Sequence, residues 1–202
     1  FRLPNIGAGD TNIEDDIYVA AMGGGYGTQF EGVGSALFLI NIENGRIHKV
    51  IDIEDMISSD IVNSVPGTPV VITPDTARGI GFRGAMVYTN DFEGKITKFN
   101  LTNMSDDGDG NTIALYDNTT LFNSGSTKSN GRYMYHSMDA TIGKKTNSLW
   151  LYSGTGDYER LTASSSAISN LLLGINDPHY PLYKEVKTPA LADDLTDCKN
   201  TT

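Results

Sequence analysis

The stretch Ala85-Met86-Val87-Tyr88-Thr89-Asn90-Asp91, then Phe92-Glu93-Gly94, then Lys95-Ile96-Thr97-Lys98-Phe99-Asn100-Leu101, decides the fold. Apolar and polar residues largely alternate on both sides of an acidic-Gly turn, the period of two that sends successive side chains to opposite faces of a strand. The turn needs a glycine for positive φ, so the stretch predicts a half-buried hairpin. A second copy precedes it, with Ala36-Leu37-Phe38-Leu39-Ile40-Asn41-Ile42, then Glu43-Asn44-Gly45, then Arg46-Ile47-His48-Lys49-Val50-Ile51. Gly45 and Gly94 stand 49 residues apart, close to the repeat length of a propeller blade. A radial stack of small sheets is the expected architecture.

Two further β-like runs flank the hairpins. Residues 17–22 end at Gly23-Gly24-Gly25-Tyr26-Gly27, and residues 149–153 end at Gly154-Thr155-Gly156-Asp157-Tyr158. Each glycine cluster marks a sharp turn or a close approach of two backbones. Residues 52–67, 103–112 and 123–132 read as loops, and Ala163 to Leu173 reads as one short helix. At ~45 residues per blade the chain has room for about four blades. The expected organisation is a partial β-propeller over residues 1–177 and an extended tail over residues 178–202. The chain starts at Phe1 and stops at Thr202 in mid-pattern, so it is expected to be a piece of a longer protein, with Cys198 either free or separated from its partner.

Charge narrows the partners. The net charge of −10 and the lack of any basic run longer than Lys144-Lys145 exclude the electrostatic footprint that nucleic acid demands. No apolar stretch approaches the ~20 residues of a membrane-spanning helix. Neither nucleic-acid binding nor membrane insertion is expected.

The residues resemble a family. Gly67-Thr68-Pro69-Val70-Val71 followed by Met86 to Leu101 looks like the blade signature of the PilY1/PilC family, type IV pilus tip-associated adhesins and biogenesis factors. The family turn, Gly-Asp-Leu-x-Gly-Asn, is kept at Asp91 and Gly94, and its exit strand at Phe99 and Leu101, with Thr97 where Trp is common. Gly23-Gly24-Gly25-Tyr26, Ala36 to Gly45 and Tyr152-Ser153-Gly154-Thr155-Gly156-Asp157-Tyr158 are similar to three more family segments in the same order. The resemblance covers roughly residues 17–160. It implies part of a modified seven-bladed propeller and a bacterial cell-surface, pilus-tip or outer-membrane location. It also implies non-enzymatic adhesion and a role in pilus assembly and extension. Expected partners are pilus subunits or minor pilins, a host or surface receptor, and the remainder of the propeller.

Several residue groups invite chemistry. The family often carries a calcium loop, but the corresponding Pro74 to Arg83 keeps one carboxylate, Asp75, and adds two arginines, which a hard dication would not select. The better calcium candidate is Asp107, Asp109 and Asn111, whose oxygens alternate in a glycine-rich loop, with Asp117 completing the set from the following segment. The cluster from Asp10 to Asp16 alternates too but lacks a glycine to wrap it. Gly79-Ile80-Gly81-Phe82-Arg83-Gly84 fits a dinucleotide pattern, yet a strand follows where a helix is needed. His136, Ser137 and Asp139 are too close in sequence for triad geometry. His48 and His179 complete a set of three histidines with no zinc spacing. Trp150, Tyr18, Tyr88, Tyr152 and Tyr158 are expected to pack between blades. Tyr133, Tyr135, Tyr180 and Tyr183 are candidates for an exposed binding face. The expected function is a calcium-modulated, pilus-associated surface protein. The alternatives are a quinoprotein-type dehydrogenase propeller, disfavoured by a single Trp, and a metal-free structural extracellular propeller.

Overall fold

The structure is a computed structural model and describes residues 1–4, 15–27, 33–53, 63–73, 84–102, 114–143, 148–158 and 168–195. Its strands are β1 (Arg2–Leu3), β2 (Ile17–Gly23), β3 (Ala36–Asn41), β4 (Ile47–Asp52), β5 (Val70–Ile72) and β6 (Gly84–Asn90). They continue as β7 (Lys95–Thr102), β8 (Asn118–Asn123), β9 (Asp139–Ile142), β10 (Leu149–Gly154), β11 (Leu172–Asp177) and β12 (Ala190–Leu191). They form three sheets in spatial order β1-β2-β3-β4, β12-β8-β7-β6-β5 and β11-β10-β9. Apart from the parallel β12–β8 pair, every pairing is antiparallel between consecutive strands. The chain is all-β and built from meanders.

Sheet two lies between the other two, and the alternation of its side chains explains why. Ala85, Val87, Phe99 and Leu101 face sheet one and join Leu3, Val19, Leu37, Leu39 and Ile51 in one apolar cluster. Met86, Tyr88 and Ile96 face the other way and join Leu149, Leu151, Leu173 and Ile175 of sheet three. Both faces of β6 and β7 are therefore covered, and all but their first residues are buried. The outer sheets keep one face dry. In β10 buried and exposed residues alternate strictly.

Sheets two and three are also tied by charge. The Lys98 ammonium is fully buried and donates to Asp177 Oδ2 at 2.5 Å and to the Leu182 carbonyl at 2.8 Å. The Tyr88 hydroxyl donates to the same carboxylate oxygen at 2.8 Å, and the Tyr88 and Tyr183 rings flank the ammonium at 5.8 and 5.9 Å. Burial lowers the Lys98 pKa, and Asp177 pulls it back up.

Several expectations change here. Three sheets are present among the described residues rather than four blades. The two hairpins that set the 49-residue period are not equivalent, because β3–β4 are the third and fourth strands of sheet one whereas β6–β7 are the second and third of sheet two. The equivalent second strands begin at Ile17, Gly84 and Leu149, 67 and 65 residues apart. The expected helix is not formed where it is described. Residues 168–171 are irregular and Leu172-Leu173 open β11, while 163–167 lie outside the described residues. The stretch after Pro178, expected as an extended tail, packs on the core. Tyr183 is buried, Val186 N–H donates to Thr119 Oγ1 at 2.8 Å, and β12 extends sheet two before one 3-10 turn at Ala192–Asp194.

The turn glycines behave as their sequence context requires, with φ +70° at Gly45 and +69° at Gly94. They differ in surroundings. A Cβ on Gly45 meets nothing within 4 Å, but one on Gly94 would stand 1.8 Å from Ser124 Oγ and 2.8 Å from the Arg132 carbonyl. Gly45→Ala is expected to cost about 1 kcal/mol, the left-handed backbone penalty alone. Gly94→Ala adds an overpacked contact and is expected to cost about 3 kcal/mol. Urea unfolding of the two variants checks the contrast, and equal losses would contradict it.

Candidate functional site

In stacked meanders, the end of each second strand and the connection from one sheet to the next lie at the same end of the stack. The turn after β6 is the hub of that end. Asp91 closes it, its carbonyl accepting from Gly94 N–H at 3.0 Å and its Oδ1 from Lys95 N–H at 2.9 Å. The turn reaches both neighbours. Phe92 N–H donates to the Ser64 carbonyl at 3.1 Å, in the connection from sheet one. Asn90 Nδ2 donates to the His136 carbonyl at 2.8 Å, in the connection to sheet three, and to Ser153 Oγ at 3.1 Å, near the end of that sheet's central strand.

Onto this hub the loops set a chain of rings. Tyr26 follows β2 and meets Phe92 edge-on, with centroids 5.2 Å apart. Phe92 meets Tyr135 at 4.6 Å and Tyr133 at 6.4 Å, both from the connection between β8 and β9. Tyr135 meets Tyr158 at 5.4 Å, beyond β10, and Tyr158 meets the His136 ring at 5.3 Å. Phe92 is buried as the anchor, while Tyr26 and Tyr158 are 60% and 54% exposed. All three sheets thus contribute to one aromatic surface. Rings held by their neighbours offer contact area at low entropic cost, which suits such a surface to binding.

The electrostatics beneath the rings are unusual. Asp91 is fully buried, and burial pushes its carboxyl up to about 7, with the Glu93 charge adding to the rise. The N–H groups of Lys95 and Glu93 and the Lys95 charge hold it from going higher. Glu93 itself is paired with Lys95.

The structure sorts the residues nominated from sequence. Tyr133 and Tyr135 belong to the aromatic surface, whereas Tyr183 is core. Tyr180 is partly buried and packs against the same core cluster. Of the aromatics expected between blades, Tyr88 alone is buried there. Tyr18, Trp150 and Tyr152 lie on the outer faces of sheets one and three and are exposed, because no described residue covers those faces. His136, Ser137 and Asp139 have separate tasks. His136 meets Tyr158 edge-on, Ser137 Oγ accepts from Thr68 N–H at 2.8 Å, and Asp139 is exposed in β9. His48 contacts the Tyr116 hydroxyl at 3.0 Å, linking sheet one to the segment before β8. His179 N–H caps Asp177 Oδ1 at 3.0 Å.

Of the calcium candidates, Asp107, Asp109 and Asn111 lie outside the described residues, as do all of Pro74 to Arg83 and residues 10–14 of the N-terminal acidic cluster. Asp117 is described, and its Oδ2 accepts from Ala114 N–H at 3.0 Å, closing the turn ahead of β8. Among the described residues no group of three acidic, His or Cys side chains gathers.

Sequence alone does not single out Phe92 and Tyr26 as a pair. Their signal is positional, an aromatic residue soon after the end of each second strand, at Tyr26, Phe92 and Tyr158. It emerges once the strands are in their sheets. Comparison of the chain with family models, with curated proteins and with solved structures finds no match.

Proposed function

We propose that the chain is an arc of a β-propeller from a PilY1/PilC-like surface protein, and that it works by binding through the aromatic end. The observation that carries this reading is the ring chain from Tyr26 to Tyr158, assembled from loops of all three sheets. The propeller part is supported by the successive meanders, each in chain order, and by the apolar outer face of sheet one. There Tyr18, Met22, Phe38, Ile40, Ile42 and Val50 lie together, as a blade in the middle of a ring would present them to its neighbour. In this reading further blades cover both outer faces, the protein sits outside a bacterial cell, and its partners are pilins or a surface receptor. The motifs that carry the family resemblance fall at the hub turn of Asp91 and Gly94 and at the loops holding Tyr26 and Tyr158.

The test is adhesion. Beads coated with the chain are expected to attach to cultured epithelial cells or purified pili, and the Tyr26→Ala/Tyr158→Ala variant to lose about tenfold of that attachment. Both side chains are exposed, so the variant should melt like the parent. Full attachment by a folded variant would overturn the reading.

Calcium belongs to the proposal as a modulator held by Asp107, Asp109 and Asn111, where neutralising clustered carboxylates would order the loop. Asp117 already serves the turn before β8 and fits the set less well. Millimolar calcium is expected to raise the melting temperature, chelator to reverse the rise, and Asp107→Ala/Asp109→Ala to abolish it. An unchanged melt would remove calcium from the account.

A further inference from the structure

Sheets one and two each have a fourth strand beside the third, in antiparallel register. These are β4, six residues long, on β3 and β8, also six residues long, on β7. Sheet three stops at β11, which is itself six residues long. The reason is visible in the path of the chain. After Asp177 it turns back to sheet two, where Leu182 accepts from Lys98, Val186 bonds Thr119, and Ala190–Leu191 pairs in parallel with β8. Sheet two thereby gains a fifth strand while sheet three has three.

The outer edge of β11 is a row of backbone donors and acceptors with no partner among the described residues. Leu172, at its start, is 91% exposed. Over Leu172-Leu173-Gly174-Ile175-Asn176 the edge holds no Lys, no Pro and no bulge, and the one inward-turned charge of the strand, Asp177, lies at its far end, paired with Lys98. Among the described residues the first-strand edges at β5 and β9 are open in sheets two and three alike, so the β11 edge is where sheet three departs from its sisters.

We propose that the edge of β11, unpaired among the described residues, receives a strand from another protein, completing sheet three to four strands. The sister sheets define that strand. It runs antiparallel to β11 and pairs with about six residues. It is uncharged at its centre, because the central residues of the edge carry no charge. It sends one or two apolar side chains into the core below, as Ile51 of β4 and Leu121 of β8 do. Main-chain hydrogen bonds supply the affinity and these apolar positions the selectivity. The inference stands on topology and does not depend on what the aromatic end binds.

A peptide copying residues 116–125, the β8 segment, serves as the probe, with hydrogen exchange of residues 172–177 as the readout. At millimolar peptide these amides are expected to slow by about tenfold or more. The same peptide with Thr120→Pro should lack the effect, and a chain carrying Leu172→Lys should respond weakly, since an edge lysine opposes strand addition. Unchanged exchange in the parent chain overturns the proposal. So does protection that appears without peptide and grows with protein concentration as the chain dimerises by light scattering, which would make the occupant a second copy.

Discussion

Replacing Lys98 by methionine is expected to cost about 3–5 kcal/mol of folding free energy. The side chain is fully buried and its ammonium holds Asp177 Oδ2 and the Leu182 carbonyl. Methionine fills the space but leaves the Asp177 carboxylate buried with the Tyr88 hydroxyl and one backbone N–H for company. The cost is that of an uncompensated charge, so removing both charges should recover most of it. The Lys98→Met/Asp177→Leu double variant is expected to regain more than half of the loss, limited by the Tyr88 hydroxyl, the Leu182 carbonyl and the His179 N–H, which lose these partners. Urea unfolding of the parent, both single variants and the double measures the coupling. A Lys98→Met loss under about 1 kcal/mol would mean that the pair is solvated.

The second large effect is on pH dependence. Burial raises the Asp91 carboxyl from its ordinary 3.8 to about 7, so between those values the folded chain binds a proton that the unfolded chain has released. Stability from this group is therefore full below about pH 4, falls as pH rises through the window, and is lowest above pH 7. A rise of that size corresponds to about 4 kcal/mol at most. Asp91→Asn keeps an acceptor for Lys95 N–H and cannot ionise. It is expected to match the parent near pH 4 and to exceed it by several kcal/mol at pH 8, and the difference between the two unfolding profiles isolates this group from the other carboxylates. Parallel profiles would show that the Asp91 carboxyl titrates alike in the folded and unfolded chain, which would contradict the rise.

Much of this fold can be read locally. Alternation over Ala85–Asn90 and Lys95–Leu101 marks β6 and β7, and the glycines at 45 and 94 mark turns, because strand period and positive φ are properties of a few neighbouring residues. The stacking period cannot be read that way. The two most alike hairpins occupy different places in their sheets, so matching them gives 49 residues where equivalent strands are 67 and 65 apart. The Ala-, Ser- and Leu-rich run ending at Leu173 has helical composition, but its last two leucines pair with Ser153 and Gly154 of β10, and tertiary pairing outweighs propensity there. Lys98 and Asp177 meet across 79 residues of sequence, which no local pattern signals. Of the six rings of the aromatic end, Tyr133 and Tyr135 are legible as loop tyrosines. The anchor Phe92 sits inside a turn whose local signals are Asp91 and Gly94, and Tyr183 has the sequence context of a loop residue because the path that buries it is long-range.

The claim that the aromatic end is the working surface is tested most directly by hydroxyl-radical footprinting of the chain, free and attached to pili or epithelial cells. Attachment is expected to protect Tyr26, Tyr158 and His136, while Tyr18 and Met22 on the outer face of sheet one remain as reactive as in the free chain. Protection confined to Tyr18 and Met22, with Tyr26 and Tyr158 still fully labelled, would contradict it and move the binding surface to the face of the sheet.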